Sequence, residues 1–93
     1  MSGSCEEDNI AYFGKNIECN GKTPCTNENS KEECSKECAR YPDCKYWTWE
    51  KTKPFGCYLK RNKGVSVEFS ATGNNQYISG CRPSVVTGKF NIM

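Results

Sequence analysis

The chain contains no histidine, and this absence excludes the most common general base of enzymes. Neither a serine nor a cysteine nucleophile can be paired with an imidazole here. The spacings Cys-x3-Cys and Cys-x5-Cys do not match those of zinc-binding knuckles. The acidic residues Glu6, Glu7 and Asp8 are most simply a solvated terminal run. We therefore expect no enzymatic activity, no cofactor and no metal.

Long apolar runs are also missing, and only 35% of the residues are hydrophobic. No stretch approaches the length of a membrane-spanning helix, so we expect no membrane span. The first residues are polar and lead into acidic ones, which is unlike the basic and apolar regions of a signal peptide. We expect residues 1–4 to be left over from recombinant expression, and the chain to be one piece of a larger protein with further modules beside it.

Strong charge of one sign is absent as well. Thirteen Lys and Arg against eleven Asp and Glu give a net charge of only +2. This leaves no field strong enough to hold nucleic acid or an anionic membrane, so we expect no nucleic-acid partner. The basic residues nevertheless gather within thirteen positions of the sequence, as Lys51, Lys53, Lys60, Arg61 and Lys63.

What the chain does have is eight cysteines in 93 residues. Such a density is close to that of small domains held together by disulfides. An even number of cysteines can close completely in an oxidising compartment, whereas scattered free thiols would be a liability in the cytosol. We therefore predict a secreted protein in which disulfides supplement a small core.

A helix is predicted to begin at Ser30, because Ser30 and Glu33 have the spacing of a capping box. It should end near Tyr41, since Pro42 disfavours a helical residue before it and lacks an N–H of its own. This helix places Cys34 and Cys38 one turn apart on the same face.

The best strand signals follow the helix, as a hairpin of residues 45–50 and 55–60 with a turn at Lys53 and Pro54. Alternation puts Trp47 and Trp49 on one face, which we expect the helix to cover. The opposite face carries Tyr46, Thr48, Glu50, Tyr58 and Lys60. Shorter strands are predicted within residues 10–19, broken near Gly14, and at 65–69 and 77–81.

Geometry narrows the disulfide pairings. Helical neighbours at i and i+4 have Cβ atoms about 5 to 6 Å apart, but a disulfide needs about 3.5 to 4.5 Å. Cys34 and Cys38 should therefore each bond elsewhere. Past the Pro42 turn Cys38 can meet Cys44, and Cys34 can reach the inward face of the hairpin. The predicted pairs are Cys34 with Cys57, Cys38 with Cys44, Cys19 with Cys25, and Cys5 with Cys81.

The run Ser30-x2-Glu33-Cys34-x3-Cys38-x5-Cys44-x2-Trp47-Thr48-Trp49-x7-Cys57-Tyr58-Leu59-Lys60 resembles the PAN/apple domain family. The resemblance extends from Cys5 to Cys81 and includes Gly14 and Ile17. The Ser-Gly-Cys ending is most similar to the adhesive apple modules of apicomplexan microneme proteins. Cys19 and Cys25 depart from the basic pattern, as does the Trp-x-Trp pair.

The resemblance implies an α+β fold, in which one helix packs on a curved antiparallel sheet and disulfides tie the helix to the sheet and the termini to each other. The domain would span residues 5–81, with 82–93 as a flexible tail or linker. The resemblance also implies secretion, through the microneme pathway if the subfamily is right.

The implied function is adhesion to a glycan or protein receptor on a host-cell surface. The alternative is a module that docks partner proteins within a secreted complex and has no carbohydrate site. The candidate ligand surface is the face opposite the tryptophans with the basic residues near it, although a charged, solvated sheet face without a ligand is the commoner explanation of such residues. Its members are Tyr46, Glu50, Lys51, Lys53, Tyr58, Lys60 and Arg61.

Overall fold

A computed structural model describes residues 5–19, 21, 23–70, 72–73 and 76–83. The predicted remnant at residues 1–4 and most of the predicted tail, residues 84–93, lie outside the described residues. Within the described part the chain forms one helix and seven strands. In chain order these are β1 (Glu7–Asp8), β2 (Ile10–Tyr12), β3 (Thr26–Asn27), α1 (Lys31–Arg40), β4 (Tyr46–Glu50), β5 (Gly56–Lys60), β6 (Ser66–Glu68) and β7 (Tyr77–Cys81).

Helix α1 begins and ends where its local signals predict. The hydroxyl of Ser30 accepts a hydrogen bond from the Glu33 N–H at 3.2 Å, which satisfies one of the donors left unpaired at a helix N-terminus. At the other end Tyr41 leaves the helical conformation, and its N–H bonds back to the Cys38 carbonyl. The predicted helix between Ser30 and Tyr41 is therefore confirmed.

Arg82 closes the C-terminal end of α1 from a distant part of the chain. Its guanidinium donates to the carbonyls of Cys38, Ala39, Tyr41 and Cys44 at 2.6 to 3.2 Å. A cation at this end of a helix satisfies its unpaired carbonyls and opposes the negative end of its dipole. Our prediction that a flexible tail begins at residue 82 is therefore wrong by at least this residue, which is bonded into the domain.

The main sheet contains five strands in the order β1-β7-β4-β5-β3, and all of its neighbouring pairs are antiparallel. Strands β4 and β5 form the predicted hairpin, with Trp47 opposite Leu59 and Trp49 opposite Cys57. Strands β2 and β6 pair separately as a two-stranded ribbon. The result is an α+β fold with a mostly antiparallel sheet and one helix, as predicted at that level of detail.

Four disulfides join the predicted partners: Cys5–Cys81, Cys19–Cys25, Cys34–Cys57 and Cys38–Cys44. No cysteine is left free. The pairing predicted from the helix and strand geometry is thus confirmed. Disulfides at this density are typical of secreted and extracellular proteins.

The core lies between α1 and one face of the sheet, which we call the helix-side face: Trp47, Trp49, Cys57, Leu59 and Ile78. The ring of Trp47 is only 1% exposed, and its indole N–H donates to the Cys81 carbonyl at 3.0 Å. Trp49 donates in the same way to the Glu28 carbonyl at 2.9 Å. Both tryptophans are core residues, as predicted.

The ring of Trp47 packs directly on the backbone of Gly80. A Cβ atom at Gly80 would come within 2.6 Å of the ring, closer than such atoms approach in real structures. Only glycine therefore fits beneath this tryptophan. Among the described residues no helix combines the length and apolar character needed to cross a membrane.

Candidate functional site

The opposite side of the main sheet is covered in part by the β2–β6 ribbon, and we call it the ribbon-side face. Its side chains, by strand alternation, are Tyr46, Thr48, Glu50, Tyr58, Lys60, Tyr77 and Ser79. The predicted ligand surface lies largely here. It was expected to be an open, solvated face, and this expectation is wrong because the ribbon packs onto it.

Polar contacts rather than disulfides attach the ribbon to this face. The Tyr12 N–H donates to the Thr48 hydroxyl at 3.0 Å. The Ser79 hydroxyl donates to the Ile10 carbonyl at 2.6 Å and lies 2.8 Å from that of Thr48. The rings of Tyr12 and Tyr46 meet edge to face at 5.6 Å. Thr48 and Ser79 are buried as a result.

The ribbon leaves a cavity of about 250 Å³ between itself and the sheet. One wall comes from β2 and the segment after it, and the other from β4, β5 and β7. Phe13 and Asn16 are exposed, whereas Tyr58 and Tyr77 are half-buried. The cavity is lined by Ala11, Tyr12, Phe13, Asn16, Thr48, Tyr58, Lys60 and Tyr77.

Lys60 is drawn into this cavity instead of pointing into solvent. Lys60 is only 6% exposed, and its ammonium donates a hydrogen bond to the side-chain oxygen of Asn16. The same ammonium lies 5.6 Å from the centre of the Tyr58 ring, within the range of a cation–π contact. Burial lowers the pKa of Lys60, because desolvation disfavours the charged amine. Strand alternation predicts Lys60 on the surface. This prediction is wrong because the segment that contains Asn16 pairs with β5 at Lys60.

The tyrosines of the cavity keep their hydroxyl protons. Burial raises the pKa of Tyr58, and the nearby Glu50 carboxylate adds to that shift. The same two causes, in the same order, raise the pKa of Tyr77. Burial also raises the pKa of Tyr12, and so does the hydrogen bond from its hydroxyl to Glu7 at 2.8 Å. The hydroxyls of Tyr58 and Tyr77 can therefore both donate and accept hydrogen bonds at neutral pH.

Glu50 belongs to the same face but has a structural partner. Its carboxylate accepts a hydrogen bond from the Gly56 N–H at 3.0 Å, at the end of the β4–β5 hairpin. Tyr46, predicted as part of the ligand surface, packs against Tyr12 beneath the ribbon. Of the predicted site residues, the cavity therefore brings together Tyr58 and Lys60.

The remaining predicted basic residues do not join them. Lys51 and Lys53 are exposed in the turn between β4 and β5. Arg61 follows the other end of β5 and forms an ion pair with Asp43 at 2.8 Å. The basic cluster in the sequence is thus divided between the two ends of the hairpin.

Four residues of the cavity were not among the predicted site residues: Tyr12, Phe13, Asn16 and Tyr77. A signal for the first three was present, because they surround Gly14, where the strand of residues 10–19 was predicted to break. Gly14 lies so close to Asn62 that an added Cβ would overlap the Asn62 carbonyl. This close approach turns the chain from β2 toward β5 and brings Asn16 to Lys60.

The chemistry of the cavity combines aromatic faces with hydroxyl, amide and ammonium groups. Aromatic rings beside a few convergent polar groups are characteristic of sites that bind small polar ligands. No cluster of three or more His, Cys, Asp or Glu able to hold a metal ion occurs among the described residues. No family model, curated protein or solved structure matches the chain.

Proposed function

We propose that this chain is an extracellular adhesive module that binds a glycan, or the glycan of a glycoprotein, in the cavity of the ribbon-side face. The observation that carries the proposal is the convergence of Tyr58, Tyr77 and Lys60 on one cavity. Tyrosine rings can pack against the apolar faces of sugars, while hydroxyl, amide and ammonium groups can bond sugar oxygens.

The size of the cavity supports a small ligand unit. At about 250 Å³ it lies just below the range of roughly 300 to 1,000 Å³ that holds drug-sized ligands. One or two sugar units suit such a site better than an extended chain. A single site of this kind binds weakly, and repetition in tandem modules would raise the avidity.

Membership of the PAN/apple family is part of the same proposal. It is supported by the sequence run from Ser30 to Lys60, in which the two helical cysteines reach Cys57 of the hairpin and Cys44. The bridge between Cys5 and Cys81 joins the ends of the described domain. On this proposal the parent protein is secreted, by the microneme pathway of an apicomplexan parasite, and meets a host-cell receptor.

A second function, docking of a partner protein within a secreted complex, is favoured by one specific observation. Phe13 and Val65 are 59% and 69% exposed. They lie side by side just beyond one end of the ribbon, where the Phe13 N–H donates to the Val65 carbonyl at 2.8 Å. Two exposed apolar side chains beside a cavity suit a protein contact as well as a sugar contact.

A glycan array with variants at two positions separates these functions. Tyr58→Ala removes a cavity ring, whereas Val65→Ser changes the exposed apolar pair and leaves the cavity lining intact. Specific glycan binding that is lost in Tyr58→Ala and kept in Val65→Ser supports the adhesive function. A blank array, with protein binding that depends on Val65, would refute it in favour of docking.

A further inference from the structure

Lys60 is the one charged side chain that is buried among the described residues. Its ammonium has three N–H donors, and Asn16 accepts one of them through a neutral amide oxygen. A buried charge normally has a charged partner, because desolvation costs several kcal/mol per ion unless it is compensated. Lys60 therefore stands out as a site whose electrostatic balance is incomplete.

No acidic residue supplies the missing charge. All eleven Asp and Glu of the chain lie within the described residues. Within that described part the ion pairs join Lys31 to Glu6, Arg40 to Glu37, Arg61 to Asp43 and Lys63 to Glu7, and none involves Lys60. The electrostatic cause of the shift in the pKa of Lys60 is burial alone.

Other lysines without an acidic partner do not share this position. Lys15, Lys36, Lys45, Lys51 and Lys53 are all exposed, where water solvates the ammonium at no cost. Of the described lysines, only Lys60 lines the cavity. An ammonium that is both buried and without an acidic partner is therefore found at the cavity and not on the exposed surface.

The residues around Lys60 also restrict what can reach it. The Tyr58 ring lies 5.6 Å from the ammonium, and the half-buried Tyr77 lines the same cavity. A ligand that combines an anionic group with a polar ring can use both kinds of residue. Its anionic group pairs with the ammonium, and its ring packs against the tyrosines. A free inorganic anion would leave the tyrosine walls unused.

From this geometry we infer that the cavity selects a saccharide unit bearing one anionic group, a carboxylate or a sulfate, which pairs with Lys60. This inference rests on the proposed glycan-binding function and specifies the class of ligand. Asn16 acts as a positioning residue, because its side-chain oxygen holds the ammonium at the cavity in the absence of ligand.

The test is a set of NMR titrations of the 15N-labelled protein with matched pairs of simple glycosides. Methyl glucuronoside is compared with its uncharged amide, and galactose 6-sulfate with galactose. A charge-assisted hydrogen bond in a desolvated site contributes about 1.5 to 3 kcal/mol. We therefore expect at least one acid to bind at least about tenfold more tightly than its neutral partner.

Two variants that lose the same net charge locate the effect. Lys60→Met removes the cavity ammonium but keeps a flexible apolar side chain, whereas Lys45→Met removes an exposed ammonium at the start of the hairpin. We expect Lys60→Met to abolish the preference for the acid and Lys45→Met to keep it. The comparison of acid with neutral ligand on the unaltered protein needs no variant and stands even if Lys60→Met folds poorly.

The outcomes separate this inference from the proposed function. A preference for only the carboxylate or only the sulfate supports the inference and identifies the anion. Equal binding of acid and neutral ligand, or a preference that survives in Lys60→Met, overturns the inference while leaving glycan binding intact. Failure of all four sugars to bind, together with a blank glycan array, overturns both.

Discussion

The two faces of the main sheet are built from the same strands but are closed in different ways. The helix-side face presents tryptophan, leucine and cysteine to α1, and the Cys34–Cys57 bridge fastens the helix to it. The ribbon-side face presents tyrosine, threonine, serine and lysine to a short ribbon, which is attached by hydrogen bonds. One face is covalently closed and apolar, and the other is polar and encloses a cavity.

This difference indicates that one face of the sheet mainly stabilises the fold, while the other forms the candidate binding site. A domain of this size has little apolar material, so the helix-side face and the disulfides must supply most of the stability. The ribbon-side face can therefore contain the buried ammonium of Lys60 and a cavity, although both lower the stability of the fold. Features that lower stability and have no structural role are often found at functional sites.

The largest contrast should come from truncating an aromatic ring on each face. Trp47→Ala removes a ring that is 1% exposed and a hydrogen bond to Cys81, and we expect it to lower the free energy of unfolding by about 3 to 5 kcal/mol. Tyr58→Ala, on a half-buried cavity ring, should cost about 1 kcal/mol and abolish ligand binding. Urea unfolding of both variants measures the difference, and equal losses would contradict the division between the faces.

The next largest contrast concerns the disulfides. Replacing both Cys34 and Cys57 by Ala should cost about 3 to 4 kcal/mol, because the bridge closes a loop with a sequence separation of 23. The matched control replaces Cys19 and Cys25, whose bridge has a separation of 6, and should cost about 2 kcal/mol. Thermal unfolding of the two double variants provides the comparison. A larger loss in the control would contradict the greater contribution predicted for the bridge between helix and sheet.

Alkaline pH should destabilise the protein through the tyrosines that line the cavity. The raised pKa values of Tyr12, Tyr58 and Tyr77 mean that the fold favours their protonated forms. Their contribution to stability is complete below the ordinary tyrosine pKa of 10.0 and is lost as pH rises through their folded values. We expect the urea midpoint to fall above about pH 10, and less steeply in Tyr12→Phe.

Absorbance at 295 nm provides the matching measurement for that prediction. Tyrosine ionisation in the native protein should be incomplete until the domain unfolds, and the late component should shrink in Tyr12→Phe. A native protein in which every tyrosine titrates together near the ordinary pKa would contradict the prediction.

The smallest effect on the free energy of unfolding is expected at Lys60, where a substitution can stabilise the fold. Lys60→Met removes a desolvated charge, so stability should stay within about 1 kcal/mol of the parent or rise. The lowered pKa of Lys60 adds a pH dependence. Between that folded pKa and the ordinary value of 10.5 the unfolded state binds more protons, so the Lys60 contribution makes stability rise with pH in that window.

Comparing the parent with Lys60→Met over that pH range isolates this contribution from that of the tyrosines. A loss of several kcal/mol in Lys60→Met at neutral pH would mean that the ammonium supports the fold instead of serving a ligand.

The helix-side face could be predicted from the sequence because its signals are local. Ser30 and Glu33 fix the start of α1, and alternation along the hairpin assigns Trp47, Trp49 and Cys57 to one side. Those two elements are enough to pair the cysteines of the helix. These local patterns are sufficient because the packing of α1 on the hairpin accounts for the burial of this face.

The cavity could not be predicted, because it depends on a long-range pairing. Strand β2 and strand β6 are three residues each and lie more than fifty positions apart, with no turn between them that would reveal the pairing. From the hairpin alone, Tyr58 and Lys60 are predicted to be ordinary surface residues. Their burial is a consequence of tertiary structure. The separation of Lys51 and Arg61, in contrast, follows from the predicted hairpin, because the two residues lie at its opposite ends.

The most direct test of this division is a map of amide and indole NMR shifts during titration with methyl glucuronoside and galactose 6-sulfate. We predict shifts at the amides of Asn16, Tyr58, Lys60 and Tyr77, with the indole N–H signals of Trp47 and Trp49 unchanged. Shifts concentrated on the tryptophan indoles, or no shift at any ligand concentration, would contradict the assignment of binding to the ribbon-side face.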